Sequence, residues 1–175
     1  SYPVVVKPVG SDNSHGVSLV TDAAQLGDAI ADAYFYHDQV LIEKYIELGR
    51  EVRCGIIQRN EGLVCLPLEE YAVHANKRPI RLHSDKLVRD RDELLELPAS
   101  ALDLTWIVDQ EDPVTQIVQS AALKCYAALG CRHYGLFDFR VDPNGVPWFL
   151  EAGLYCSFSP RSVVVKMCDA HGISL

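Results

Sequence analysis

The strongest constraint in this chain is the turn Asp142-Pro143-Asn144-Gly145, set between two runs rich in β-branched and aromatic residues. Proline presets φ at one turn position, and asparagine and glycine tolerate the positions that follow. With apolar runs on both sides, the segment reads as a β-hairpin. Pairing Val141 with Val146 sets Asp138 opposite Phe149 and Leu136 opposite Glu151. Side chains alternate between strand faces, so Asp138 and Glu151 share a face, as diagonal neighbours roughly 7–8 Å apart. Two carboxylates there repel each other unless a cation lies between them. A hard divalent ion suits the pair, because Mg²⁺ is commonly held by one or two carboxylates plus substrate phosphates. An ion pair with Arg140, on the same face, would meet the same electrostatic need.

The 175 residues suffice for one substantial core or for two small lobes sharing a cleft. A hydrophobic content of 49% with 23% charged residues is that of ordinary globular proteins. A net charge of −8 opposes nucleic-acid binding, which needs a basic surface, but not a nucleotide, whose phosphates need only a local cation. The six cysteines form no CxxC pair and lie mostly in apolar patterns, so free thiols are expected rather than a disulfide framework. No segment approaches the ~18 apolar residues of a membrane span, and no signal-peptide pattern is present, so a cytoplasmic location is expected. Because a core strand begins within three residues of Ser1, a preceding part of a longer protein is expected as well.

Along the chain, strands are predicted over 2–7, 16–20 and 40–43, with a hairpin over 52–58 and 63–68. A helix over 22–36 would be capped by Thr21. A second, over 113–129, has Asp112 as cap, Pro113 at its first position and Gly130 just beyond its end. A last helix is predicted over 160–171. Residues 70–111 are irregular and dense in charge, as a lid or binding loop would be. Hairpins mixed with helices, and few βαβ units, favour an α+β fold.

Lys7 closes an apolar strand and precedes a loop through Asn13, Ser14, His15 and Gly16; such a unit can offer a cation and backbone N–H groups to phosphates, or be a solvated turn. The strand ending Glu43-Lys44-Tyr45-Ile46 could present backbone groups to an adenine edge, with Glu51 accepting from ribose hydroxyls; alternatively Glu43 and Glu51 are surface charges beside Lys44 and Arg50. The histidines lack zinc-ligand spacing, and no Ser-His-Asp or Cys-His set stands out.

In order and spacing, several stretches together resemble the ATP-grasp fold, and within it the D-alanine–D-alanine ligases. They are Pro3-Val-Val-Val-Lys-Pro, Ser14-His-Gly-Val-Ser, Val40-Leu-Ile-Glu-Lys-Tyr-Ile, Arg50-Glu51, Leu129-Gly-Cys-Arg, the hairpin through Phe149-Leu-Glu-Ala-Gly, and Ser159-Pro-Arg-Ser. The resemblance covers nearly the whole chain. It implies two lobes of antiparallel sheet with helices around a nucleotide cleft: 1–69 as the nucleotide-binding lobe, 70–111 as the lid and substrate loop, 112–175 as the lobe with the metal site. Lys7 and the loop Asn13–Gly16 would meet the phosphates, Glu43, Lys44, Tyr45 and Ile46 the adenine, and Glu51 the ribose. Asp138 and Glu151 would bind Mg²⁺, with Mn²⁺ as an alternative, and Lys86 would reach the phosphates from the lid. The implied chemistry is activation of a carboxylate by ATP and attack of an amine on the acyl phosphate, helped by positioning and charge neutralisation. ATP and small amino-acid or carboxylate substrates are the implied partners, with a further N-terminal domain, and a homodimer is compatible.

Three positions depart from the family. Gly153 replaces an asparagine metal ligand, Leu136 an arginine, and Ser157 a glycine, whereas Ser162, which would bind a substrate carboxylate, is retained. Arg140 is the candidate substitute for the missing arginine. These departures weaken D-alanine specificity and leave two expectations: a ligase for a different amino acid or carboxylate, or a degenerate module that binds nucleotide or a partner without catalysis.

Overall fold

The computed structural model describes residues 1–11, 13–74, 79–81, 104–160 and 162–174, and the backbone of 87–90 and 93–96. The chain forms two compact units. The first holds β1 (Val4–Pro8), β2 (Ser18–Val20), α1 (Leu26–Tyr36), β3 (Val40–Lys44), and the hairpin β7 (Leu87–Asp90) and β8 (Glu93–Glu96). The second holds β4 (Arg50–Arg59), β5 (Gly62–Cys65), β6 (Glu69–Tyr71), β9 (Thr105–Ile107), α2 (Pro113–Ala128), β10 (Tyr134–Val141), β11 (Pro147–Gly153) and α3 (Val163–Ala170).

In the first unit an antiparallel sheet runs β2-β1-β3, and α1 lays Ala29 and Ala33 against Val6 and Val20. The helix is shorter than the sequence predicts. Asp22 caps a 3₁₀ turn over Ala23–Gln25 by accepting from the Ala24 amide, and the Thr21 amide donates to the Gln25 side chain at 2.8 Å. The α-helix therefore starts only at Leu26.

The second unit is built on an antiparallel sheet ordered β11-β10-β4-β6-β9, with β5 also paired to β4. Strands β4 and β10 pair over eight positions, from Tyr134 opposite Ile57 to Val141 opposite Arg50. Through this pairing β4, with β5 and β6, belongs to the same unit as the later strands. One face carries Val52, Cys54, Ile56, Phe137, Phe139 and Val141 beneath Val114, Val118 and Ala122 of α2. Gly49 seals the strand edge: its amide donates to the Val141 carbonyl at 3.1 Å, and a Cβ there would lie 2.7 Å from that same oxygen.

α2 begins as the sequence predicts. Asp112 accepts from the Val114 amide, and Pro113 occupies the first turn. Arg50 fixes this helix end to the sheet, donating to Asp112 at 2.8 Å and to both oxygens of Glu70 at 2.8 and 2.5 Å. The Val114 amide, then Arg50, hold the Asp112 carboxyl below its ordinary range. A depressed folded-state value stabilises the fold fully above the unfolded carboxylate pKa of about 4, and the gain is lost as pH falls through the folded value. Asp112→Ala should therefore cost about 1–2 kcal/mol at pH 7. In urea titrations its deficit relative to the parent should shrink as the pH is lowered below about 4.

Candidate functional site

In the first unit, β1 and β3 set Val5 opposite Glu43, so Glu43 and Lys7 share a face two residues apart in register. The Lys7 ammonium lies 2.6 Å from the Glu43 carboxylate, which joins the candidate phosphate lysine to the candidate adenine segment. The following loop holds Asn13, Ser14 and Gly16 in left-handed conformations, with φ of 49°, 60° and 70°. Two successive non-glycine residues there are uncommon and costly, as functional loops tolerate. His15 stacks on Tyr36 with ring centroids 5.3 Å apart, and its carbonyl accepts from the Ser11 hydroxyl at 3.1 Å. Gly16 is sterically required, since a Cβ would lie 2.7 Å from the Tyr36 ring. Beyond β3 the Tyr45 amide donates to the Pro3 carbonyl at 3.3 Å.

In the second unit, the sheet face away from α2 carries charge. The β10–β11 register is Val141 with Pro147, Arg140 with Trp148 and Phe139 with Phe149, then shifts so that Asp138 faces Glu151 and Leu136 faces Gly153. The predicted register, Asp138 opposite Phe149, is thereby corrected. The turn is one residue shorter, with the Asp142 amide donating to the Val146 carbonyl, and β11 carries an extra residue, Leu150. The carboxylates are direct cross-strand neighbours rather than diagonal ones.

On β4, Arg53 stands opposite Asp138, and on β6 Glu69 stands opposite Arg53. One row across the sheet thus reads Glu151, Asp138, Arg53, Glu69. Arg53 donates to both oxygens of Asp138, through Nη2 at 2.7 Å and through Nε. Its guanidinium also lies over the Tyr71 ring, 5.4 Å from the centroid. Burial alone would weaken the Arg53 charge, but Asp138, Tyr71 and Glu69 hold its pKa well above the ordinary value. Two register pairs along, on the same face, Arg140 donates to Glu51 at 2.6 Å, and both side chains are buried.

The cation beside Asp138 is therefore Arg53, not Arg140. Arg140 is committed to Glu51, and Leu136 is instead part of an apolar cluster with Leu66, Val163, Val164 and Met167 under α3. Ser162 is the N-cap of α3, accepting from the Val165 amide at 3.5 Å, so that helix starts at Val163 rather than at 160. Lys86 lies outside the described residues. Sequence inspection missed Arg53, Glu69 and Tyr71; the available signal was a lone arginine between Val52 and Cys54 in an otherwise apolar strand.

A hard divalent ion is compatible with this donor set, but only with few protein ligands. Glu151 is exposed and Asp138 is already clamped. Among the described residues, no three His, Cys, Asp or Glu side chains converge to enclose an ion. An ion at Glu151 and Asp138 would complete its shell from phosphate and water, as Mg²⁺ commonly does.

Two consequences are measurable. Arg140→Met leaves the Glu51 carboxylate buried without its guanidinium and should cost about 3–5 kcal/mol; adding Glu51→Leu should restore most of that in denaturant titrations. Burial, with Asp138 adding to it and Arg53 opposing it, pushes the nearby Cys156 thiol up to about 11. Alkylation of the Cys156 peptide should therefore be slow at pH 7 and still rising at pH 10, where an ordinary thiol has levelled off.

The sequence profile described as "D-ala D-ala ligase C-terminus" matches residues 1–175. The chain is 29% identical over 172 residues to the D-alanine–D-alanine ligase of Bacillus anthracis, a match covering 98% of this chain and 50% of that enzyme. It is 28% identical over 176 residues to the uncharacterized protein y4sG of Sinorhizobium fredii, covering 99% and 49%. Of solved structures, the VanG D-Ala:D-Ser ligase from Enterococcus faecalis is similar with a TM-score of 0.75 at 23% identity, over 99% of this chain and 46% of that one. The B. anthracis D-alanine–D-alanine ligase complexed with ATP gives 0.67 at 24%, again over 99% and 46%. These structural likenesses establish the fold, which is α+β of the ATP-grasp type. The chain spans about half the length of the curated relatives it matches. Because the profile covers its whole length, the chain belongs to the D-ala D-ala ligase C-terminus family.

Proposed function

We propose that this chain is the nucleotide- and metal-holding part of an ATP-dependent ligase that joins a carboxylate to an amine. The observation that carries the proposal is the carboxylate pair Asp138 and Glu151, brought directly opposite each other on the sheet face away from α2, Glu151 being the exposed member. Support from the first unit comes from Lys7 and Glu43, held together at the end of β1 and beside the left-handed loop Asn13–Gly16.

Glu151, with Asp138 beside it, would hold Mg²⁺ or Mn²⁺, and the ion would neutralise phosphate charge during transfer. Lys7 would meet the phosphates, Asn13–Gly16 would close over them with backbone amides, and the Glu43–Ile46 segment would read adenine. Glu51, fixed by Arg140, would set the polar lining nearest the ribose. Ser162, at the start of α3, would sit where helix amides favour a substrate carboxylate. Lys86 would reach the phosphates from the lid. The substrates would be a small amino acid or carboxylate and an amine; with Leu136 seated under α3 and Gly153 opposite it, D-alanine is not the expected pair.

A second reading has its own observation. The Arg53 clamp already neutralises Asp138, which a module that binds nucleotide without turnover would tolerate. Assaying ADP release by the full-length protein against a panel of amino acids separates the two, because the non-catalytic module gives none. Mg·ATP should raise the melting temperature, since a ligand that binds only the native state stabilises it. Glu151→Gln should remove the Mg²⁺-dependent part of that shift, and Lys7→Ala should weaken ATP binding with or without metal. No shift with Mg·ATP would overturn both readings.

A further inference from the structure

We propose that Arg53 is a built-in cation of this site, which takes the place of one divalent ion at Asp138 and leaves Glu151 as the ligand of a single ion. The inference rests on the nucleotide-binding reading of the same site. Three carboxylates, Glu151, Asp138 and Glu69, lie in one row with Arg53, and Asp138 is the one that takes both arms of its guanidinium fork.

The geometry separates the carboxylates by role. Asp138 is buried and gives both oxygens to the Arg53 fork, the strongest arrangement of this pair. Chelation of a metal through both Asp138 oxygens would require displacing that fork. Glu69, on the far side of Arg53, is also buried, whereas Glu151 is exposed at the outer end of the row. Arg53 is braced against leaving its place by the Tyr71 ring and by the charge of Glu69. A second ion at Asp138 would meet a fixed positive charge at hydrogen-bond distance. The neighbouring strand position adds no ligand either, since Gly153 has no side chain and its partner Leu136 is apolar. Arg53 is thus a positioning residue, acting on metal stoichiometry through Asp138.

The test counts Mn²⁺ bound per bound nucleotide, by electron paramagnetic resonance, on the full-length protein saturated with a non-hydrolysable ATP analogue. The parent should bind one Mn²⁺ per nucleotide. Arg53→Leu should bind two, because Asp138 is released, and Arg53→Leu combined with Asp138→Asn should return to one. Two ions in the parent overturn the proposal whether or not Arg53→Leu folds, as does a folded Arg53→Leu that still binds one. A folded parent that binds no nucleotide overturns the nucleotide-binding reading itself, an outcome distinct from either ion count.

Discussion

The structure of the second unit depends on the antiparallel pairing of β4 with β10. Its eight register pairs assign every side chain of both strands to one of two faces. Val52, Cys54 and Ile56 go with Phe137, Phe139 and Val141 to the α2 core, while Glu51 and Arg53 go with Arg140 and Asp138 to the other face. A slip of one residue would bury two arginines and two acids beneath α2 and expose two phenylalanines, so the register is held by both faces at once. The buried pairs cost desolvation and are weak evidence of net stabilisation. What they provide is selection of register, on a sheet whose stability comes from the apolar face.

The charged face is not charged along its length. Toward Gly55 and Leu136 it turns apolar, and α3 covers it with Val163, Val164 and Met167. Gly55 makes room for that helix: a Cβ there would lie 3.0 Å from Leu66, 3.2 Å from the Met167 sulfur and 3.4 Å from Leu136. An arginine at position 136 would have to lift its charge out of this cluster, whereas leucine fills it, and burying such a side chain is worth about 1.5–3 kcal/mol. The departure at Leu136 therefore has a packing rationale that a motif comparison alone does not reveal. Leu136 thereby helps to seat the helix whose first turn Ser162 caps.

What was legible in the sequence was local. The turn after Val141 placed Asp138 and Glu151 on one face, and Asp112-Pro113 fixed the start of α2, because both depend on residues within a few positions of each other. The exact register failed because neither the one-residue offset at the turn nor the extra residue Leu150 leaves a mark in the alternation of apolar side chains. The pairings of Arg53 with Asp138 and of Arg140 with Glu51 span 85 and 89 residues. They follow only from knowing that β10 lies beside β4. Lys7 and Glu43 were singled out separately for the same reason, since their contact requires β3 to lie beside β1.

The shift at Leu150 has an electrostatic result larger than its one-residue size. In the predicted register the two carboxylates would be diagonal, roughly 7–8 Å apart; with the shift at the turn and the extra residue they become direct partners and their Cβ atoms fall to about 4.5–5.5 Å. At an effective dielectric near 20, two like charges ~5 Å apart repel by about 3 kcal/mol, enough to require a counter-charge on the same row. Among the described residues, β4 supplies one, since Arg53 stands opposite Asp138 and donates to both of its oxygens. Of the two carboxylates, Glu151 on the edge strand β11 is exposed, and Asp138 is buried against Arg53. The bulge creates the need for positive charge, and Arg53 determines how much of that need is met from within the protein.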